Sequence, residues 1–240
     1  MAVNLEDAAG RDGAGMATRM LSSWEQNASA WTDAVREQRI ASRRNGTDAA
    51  ILEAVLRCRP ASALDVGCGE GWLARELAER GCRVVGVDAS PSLIASAQRL
   101  GGAAFAVSTY AGMADRVDAL GAPFDLAVCN FSLLEEDLAP ALATIAHATR
   151  DRLVVQTVHP WTACGDEPYA DGWRVETFAG FGSDFVAPMP WYFRTLASWL
   201  DAIGDAGFRI ERIEEPVDRE SGKPLSLLMT AAIANVPGKR

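Results

Sequence analysis

The stretch Leu64-Asp65-Val66-Gly67-Cys68-Gly69-Glu70-Gly71 decides the fold of this chain. Its apolar start predicts a buried strand, and its three alternating glycines predict a turn whose backbone can touch a ligand. We expect a helix from Trp72 to Arg80 to follow. A second apolar run ends at Asp88, 23 residues after Asp65, where a carboxylate can accept hydrogen bonds from ribose hydroxyls. The pattern predicts half of a nucleotide-binding βαβ unit and an adenosine-containing ligand.

The details of the glycine turn discriminate between adenosine ligands. A dinucleotide fingerprint, G-x-G-x-x-G, requires a third glycine where this chain has Trp72. Asp65 would repel a pyrophosphate, but it suits a ligand that carries an ammonium group and a sulfonium cation. The turn amides and the helix N-terminus can still receive one carboxylate. These charges match S-adenosylmethionine and do not match NAD.

Four segments together carry a resemblance to a known family. The stretch from Asp65 to Gly71 is similar to the first motif of the class I S-adenosylmethionine-dependent methyltransferases, and Val87-Asp88 is similar to their acidic second motif. Pro123 to Asn130 resembles the fourth motif, and Ala206 to Ile210 resembles the Gly-Phe step before the last two strands. The resemblance extends over roughly residues 47 to 235. It implies methyl transfer with S-adenosylmethionine as the cofactor.

The resemblance also implies which residues hold the cofactor. The glycines contact its methionine end, Asp88 its ribose, and Asp65 the turn and the ammonium group. At the third motif, where the family has an acidic or small polar residue, this chain has Ser108-Thr109-Tyr110, so Tyr110 stacks against the ligand or lines the site. The expected set comprises Asp65, Gly67, Cys68, Gly69, Gly71, Asp88, Ala89, Ser108, Tyr110, Asn130 and Phe131, with Arg43 at the carboxylate and Trp31 in a flap.

The composition limits the classes of protein to which this chain can belong. The chain has 240 residues, 49% of them hydrophobic and 23% charged, which suits one well-buried α/β domain with a cap. A net charge of -9 disfavours a nucleic-acid partner, and no apolar run is long enough for a membrane span. The start of the chain lacks the features of a signal peptide. We therefore expect a cytoplasmic protein, and the sequence leaves its oligomeric state open.

Cysteines and arginines give weaker indications. Five cysteines without a C-x-x-C pair favour reduced thiols over disulfides or zinc. An arginine cluster precedes the first core helix, and it is either a solvated helix face or a contact for a carboxylate of the cofactor or substrate. The cluster comprises Arg36, Arg39, Arg43 and Arg44.

The chain divides into four segments of one expected methyltransferase domain. Residues 1–46 are predicted to be a mobile N-terminus, to about residue 20, and then a helical flap carrying Trp24 and Trp31 at helical spacing; core packing is the alternative for that pair. Thr47-Asp48 looks like the N-cap of a helix. Residues 47–159 are the cofactor-binding core, 160–194 a cap insertion, and 195–240 the last helix and hairpin.

The core elements alternate, which predicts a Rossmann-like, doubly wound, seven-stranded sheet that is mostly parallel and ends in an antiparallel C-terminal hairpin. The predicted strands lie near 63–66, 83–87, 103–107, 124–129, 152–157, 208–214 and 225–233, and the helices near 49–57, 72–80, 91–100, 111–120, 139–148 and 199–207.

The cap insertion is rich in aromatic residues. Nine of the 18 aromatic residues fall between positions 161 and 193. A connection this long is typical of a lid, a binding loop or an added hairpin, and it should hang over the ends of the parallel strands. Small-ligand pockets are lined mainly by apolar and aromatic groups, so we expect a small, apolar or aromatic methyl acceptor. Packing of the insertion onto the core is the alternative role for these rings.

Candidate catalytic groups are few. His159 follows an apolar strand, so its ring is expected to face the crevice, either as a general base or as a pocket wall. His147 falls in a helix and is interpreted as structural. Glu135, Glu136 and Asp137 look like the acidic first turn of a helix, and we expect no metal site. Two alternatives stay open: a regulatory protein that binds S-adenosylmethionine without chemistry, and a NAD-dependent oxidoreductase.

Overall fold

A computed structural model describes residues 13–182 and 184–234. The chain begins with α1 (Gly13–Gln26), α2 (Ala28–Arg36), a π-helical turn (Arg43–Thr47) and α3 (Asp48–Arg57). The core continues with β1 (Ser62–Val66), α4 (Trp72–Glu79), β2 (Arg83–Asp88), α5 (Pro91–Leu100), β3 (Ala104–Val107), α6 (Tyr110–Met113), β4 (Phe124–Asn130), α7 (Ala139–Ala148) and β5 (Thr149–Val158). The rest comprises α8 (Pro160–Cys164), β6 (Gly172–Glu176), β7 (Met189–Phe193), α9 (Leu196–Asp205), β8 (Phe208–Glu214) and β9 (Ser226–Ile233).

Seven strands form one mixed sheet in the order β3-β2-β1-β4-β5-β9-β8. The first five are parallel to one another, whereas β9 is antiparallel to both β5 and β8. This confirms the predicted Rossmann-like fold. The strand order reverses between β1 and β4, where a crevice opens at the carboxyl ends of parallel strands. Core side chains on both sheet faces bury β1 completely.

The N-terminal segment differs from the prediction that it is mobile to about residue 20. Residues 1–12 lie outside the described part, but α1 starts at Gly13 and buries Met16 and Met20. These two methionines lie four residues apart on one helix face, which supplies the apolar contact that the composition did not reveal. A one-residue break at Asn27 separates α1 from α2.

Three local predictions are corrected. Thr47 is no N-cap, because it has helical dihedrals and makes no side-chain capping bond. The helix predicted near 111–120 is confined to α6, and the chain then continues in turns that still bury Val117. The acids at 135–137 precede α7 instead of forming its first turn, although Asp137 Oδ1 accepts the Ala139 amide at 2.9 Å.

The insertion contains α8 and an antiparallel hairpin of β6 and β7. The hairpin is joined to the core where the Tyr192 amide donates to the Leu134 carbonyl at 2.9 Å. It is joined to the N-terminal helices where Asn27 Oδ1 accepts the Val186 amide at 2.9 Å and Asn27 Nδ2 donates to the Ala187 carbonyl at 2.7 Å. The helices α1 and α2 and the hairpin therefore roof the crevice together.

Candidate active site

A cavity of about 250 Å³ lies at the carboxyl ends of β1, β2 and β4. Its floor comes from the first three residues of the glycine loop (residues 67–71), and its roof comes from α1, α2 and the insertion. We call the part beside the glycine loop the cofactor end and the part beneath the roof the cap end. The cap end is lined by Met20, Leu21, Trp24, Leu134, Glu135, Glu176, Phe178, Phe181, Met189 and Trp191.

Backbone conformation shapes the glycine loop. Gly67 has φ +74°, and a Cβ built on it would lie 2.3 Å from Ser132 Cβ, so a side chain does not fit there. Ser132 Oγ donates to the Val66 carbonyl at 2.6 Å and holds β4 against the loop. Gly67 therefore allows the end of β1 to approach the loop after β4, which brings two strand ends to one cavity.

Asp88 stands where the sequence predicts it. Its Oδ2 accepts the Gly69 amide and its Oδ1 the Ser90 amide, both at 2.9 Å. Burial raises the pKa of Asp88, while its hydrogen bonds from backbone amides oppose that rise. A carboxylate has about four lone-pair sites, so these two bonds leave capacity for hydroxyl donors from a ligand.

Asp65 is a buried carboxyl without a hydrogen-bond partner for Oδ2 among the described residues. It is only 1% exposed and lines the cavity. Burial, together with the nearby charge of Asp88, raises the pKa of Asp65 to about 7. A ligand with a positively charged donor would satisfy this oxygen.

Two further predicted residues lie at the roof of the cofactor end. Trp31 lines the cavity, and its Nε1 would lie 3.5 Å from a Cβ built on Gly69. Arg43 also lines the cavity, where its Nε pairs with Asp48 at 3.0 Å and its guanidinium lies 4.5 Å from the centre of the Trp72 ring. Both side chains therefore approach the glycine loop from the N-terminal segment.

Most of the other predicted residues are brought together as well. The cavity is lined by Cys68, Ala89, Ser108, Tyr110, Asn130 and Phe131, in addition to Gly67, Gly69, Asp65 and Asp88. Tyr110 donates its hydroxyl to the Ser132 carbonyl, and Asn130 Oδ1 accepts from Gln156 Nε2 at 2.8 Å. Gly71 is an exception, because it packs under Phe105 and does not line the cavity.

The structure corrects the prediction that the His159 ring faces the crevice. His159 is 8% exposed and does not line the cavity. Its Nε2 lies 2.7 Å from Glu215 Oε1, beside the hairpin of β8 and β9. Its neighbours Thr157 and Val158, which the sequence did not single out, line the cavity instead.

The cysteines and arginines have mainly structural partners. All five cysteines are free thiols, and burial raises the pKa values of Cys68 and Cys129, which keeps both protonated. Arg36 Nε donates to the buried carboxylate of Glu70 at 2.9 Å, and Arg39 pairs with Asp184 at 3.1 Å. Arg44 is likewise engaged at the Gln38 carbonyl.

Several cavity residues were not identified from the sequence. Met20 and Leu21 line the cap end, and the spacing of Met20 to Trp24 is a helical signal that could have found the former. Glu176 and Met189 carry no such local signal, because they reach the cavity only through the hairpin. Within the described ranges, no cluster of three or more His, Cys, Asp or Glu side chains could bind a metal ion. No helix in the same ranges has the length and apolarity to cross a membrane.

This topology and glycine loop define a Rossmann-like α/β protein with a ligand site at its topological switch point. A family model described as a methyltransferase domain matches residues 63–152. The matched residues run from β1 into β5 and include the glycine loop and Asp88.

Related proteins and solved structures give further comparisons. An uncharacterized methyltransferase of Schizosaccharomyces pombe is 28% identical over 158 residues, which cover 63% of this chain and 60% of that protein. Among solved structures, 1,6-didemethyltoxoflavin-N1-methyltransferase of Burkholderia thailandensis has a TM-score of 0.65 at 23% identity and covers 98% of this chain and 99% of its own. Magnesium protoporphyrin IX methyltransferase of Synechocystis PCC 6803 has a TM-score of 0.65 at 18% identity and covers 91% of this chain and 100% of its own. The structural similarities show the shared fold.

Proposed function

We propose that this protein transfers the methyl group of S-adenosylmethionine to a small, apolar or aromatic molecule. The observation that carries the proposal is the single cavity that runs from the glycine loop to the apolar cap end. Its concave shape and aromatic lining are typical of small-molecule sites. In the proposal the whole chain works as one cytoplasmic methyltransferase domain, with 160–194 as the cap over the acceptor.

The residues at the cofactor end fit S-adenosylmethionine. The unpartnered Asp65 oxygen suits its ammonium group, and the free lone pairs of Asp88 suit its ribose hydroxyls. Arg43 is positioned for its carboxylate, and Trp31 for closing the flap. When bound, the cofactor supplies an electrophilic methyl group on a sulfonium.

The chain's own part in the reaction is positioning and exclusion of water. Methyl transfer is an in-line displacement, so holding the acceptor atom close to the methyl group supplies much of the acceleration. Phe178 is 1% exposed and Met189 5%, so in this proposal the roof that they belong to limits the access of water to the cap end. His159 braces the end of β5 in this proposal, and His159→Asn should slow turnover less than the 10²–10⁴-fold typical of a lost general base.

The test begins with cofactor binding. Calorimetry should show that S-adenosylhomocysteine binds and that NAD does not. Asp88→Ala should weaken S-adenosylhomocysteine about tenfold or more, because each lost hydrogen bond is worth roughly 1 kcal/mol. Asp118→Ala is the matched control, since the Asp118 side chain is 85% exposed and should leave affinity unchanged. Unchanged affinity in Asp88→Ala would refute the ribose assignment.

A turnover screen then separates an enzyme from a non-catalytic binding protein. Small aromatic amines, phenols and heterocycles are incubated with S-adenosylmethionine, and release of S-adenosylhomocysteine is followed. Acceptor-dependent release is the expected result. Tight cofactor binding without release for any acceptor would favour the regulatory alternative.

A further inference from the structure

The described lining of the cap end carries negative charge without a cation. Among the described residues that line the cavity, Arg43 is the one cation, and Asp48 pairs with it. Asp65 and Asp88 belong to the cofactor end. Glu135 and Glu176 remain, and both line the cap end.

Of these two carboxylates, Glu135 has fewer hydrogen-bond partners within the described ranges. Glu176 Oε1 already accepts the Phe178 amide at 2.6 Å. The Glu135 side chain makes no hydrogen bond or ion pair to any residue of the described ranges. Burial raises the pKa of Glu135, and the neighbouring charge of Asp137 raises it further. A half-buried acid of this kind gains from a cation that a ligand brings.

The nearby arginine does not neutralise Glu135. Arg194 Nη2 donates to the main-chain carbonyls of Glu135 and Glu136, the latter at 2.7 Å. Its guanidinium lies over the rings of Tyr192 and Trp199. Arg194 thus fixes the backbone of the loop after β4, while the Glu135 carboxylate stays available to the cavity.

Aromatic rings share the cap end with Glu135. The bond from the Tyr192 amide to the Leu134 carbonyl places Glu135 beside β7, which carries Trp191. Trp24 and Trp191 line the cap end, and Trp24 meets Phe178 edge to face with 5.9 Å between ring centres. Aromatic faces attract cations, and a carboxylate at the same site adds a charge partner.

We propose that the cap end selects acceptors that carry a basic nitrogen, held as a cation between the Glu135 carboxylate and the rings of Trp24 and Trp191. The inference rests on the proposed small-molecule methyltransferase function and narrows its substrate class. It concerns recognition, so the nitrogen need not be the methylated atom.

The test compares a cation with its neutral isostere. Binding of (3-hydroxyphenyl)trimethylammonium and of 3-tert-butylphenol is measured by calorimetry on the full chain saturated with S-adenosylhomocysteine. The two probes differ in one atom, nitrogen or carbon, and hence in one charge. We expect the cation to bind about tenfold tighter or more. Equal affinities would overturn the inference.

Substitutions test whether the Glu135 carboxylate causes the preference for the cation over its neutral isostere. Glu135→Gln should weaken the cation about tenfold and leave 3-tert-butylphenol unchanged, whereas Glu135→Asp should keep the preference. Glu136→Gln is the control, because Glu136 is bonded to Trp173 and lies outside the cavity lining. An undiminished preference in Glu135→Gln would overturn the inference. If wild type fails to bind S-adenosylhomocysteine, the proposed function fails; if it binds and shows no preference, the inference alone fails.

Discussion

The two ends of the cavity are built in different ways. At the cofactor end, main-chain conformation and amide donors position the groups, as with Gly67 and the amides bonded to Asp88. At the cap end, side chains from distant segments meet, as with Trp24 and Phe178. The first construction depends on neighbours in sequence, and the second on how separate elements pack. We therefore expect the two ends to respond differently to substitution.

The largest expected effect tests whether backbone conformation determines the geometry of the cofactor end. Gly67→Ala would place a Cβ in the left-handed region and 2.3 Å from Ser132 Cβ. We expect a loss of roughly 4 kcal/mol in the free energy of unfolding, from overpacking and an unfavourable φ. Urea denaturation measures the loss.

Gly180→Ala in the cap is the matched control for Gly67→Ala. Nothing lies within 4 Å of its built Cβ, and its φ is ordinary. Its stability should stay within about 0.5 kcal/mol of wild type. If the two alanine variants are equally stable, the glycine loop is not conformationally fixed and the contrast between the two ends is lost.

The second prediction concerns the charge of Asp65. The folded state holds its proton with a pKa of about 7, against about 4 in the unfolded chain. The folded state therefore binds more protons than the unfolded state between these values, so stability falls as pH rises from about 4 to about 7. Relative to Asp65→Asn, wild type should lose on the order of 3 kcal/mol across that window.

Denaturation at several pH values checks the Asp65 prediction. Asp118→Asn serves as the control, because its exposed carboxyl should leave the pH dependence of wild type intact. Parallel pH profiles for wild type and Asp65→Asn would show that Asp65 is ionised without cost, and its assignment to an ammonium group would lose its physical basis.

The smallest expected effect tests the hydrogen bonds that connect the N-terminal helices to the cap. Asn27→Ala removes the bonds to the main chain of Val186 and Ala187. Both amides lose their acceptor, whereas the Ala187 carbonyl keeps its bond from the Ser23 hydroxyl at 3.1 Å. We expect a loss of about 2 kcal/mol in unfolding free energy. Gln26→Ala is the control, because within the described part of the chain the Gln26 side chain is bonded to Ser22 of its own helix and to no other residue. Equal stability of the two variants would show that the N-terminal helices and the cap are not coupled through Asn27.

Most residues predicted for the cofactor end do line the cavity, because the sequence signals that point to them are local. The glycines at 67 and 69 and the acids at 65 and 88 lie within one βαβ unit, where strand, turn and helix fix their relative positions. Gly71 was assigned to the ligand because its spacing matches the motif, whereas its φ of +85° serves helix packing under Phe105. Spacing alone does not distinguish these two uses of a glycine.

The cap end could be predicted in composition but not in arrangement. Of its aromatic residues, Phe178, Phe181 and Trp191 line the cavity, while Trp161 is 68% exposed. That choice depends on the register of β6 with β7 and on the bond between Tyr192 and Leu134, which join segments far apart in sequence. His159 was misplaced for the same reason, because its partner Glu215 lies 56 residues later in the chain.

The carboxylate of Glu70, within the glycine loop, has two arginine partners from different elements. Arg36 of α2 reaches it from the roof, and Arg75 of α4 donates to both of its oxygens, at 2.8 and 2.7 Å. Removing the sole partner of a buried charge is costly, because it strands that charge. If α2 lifts to let ligands exchange, Arg36 departs but Arg75 stays. The contact between α2 and the loop can therefore be broken and remade during ligand exchange without leaving the buried Glu70 carboxylate uncompensated.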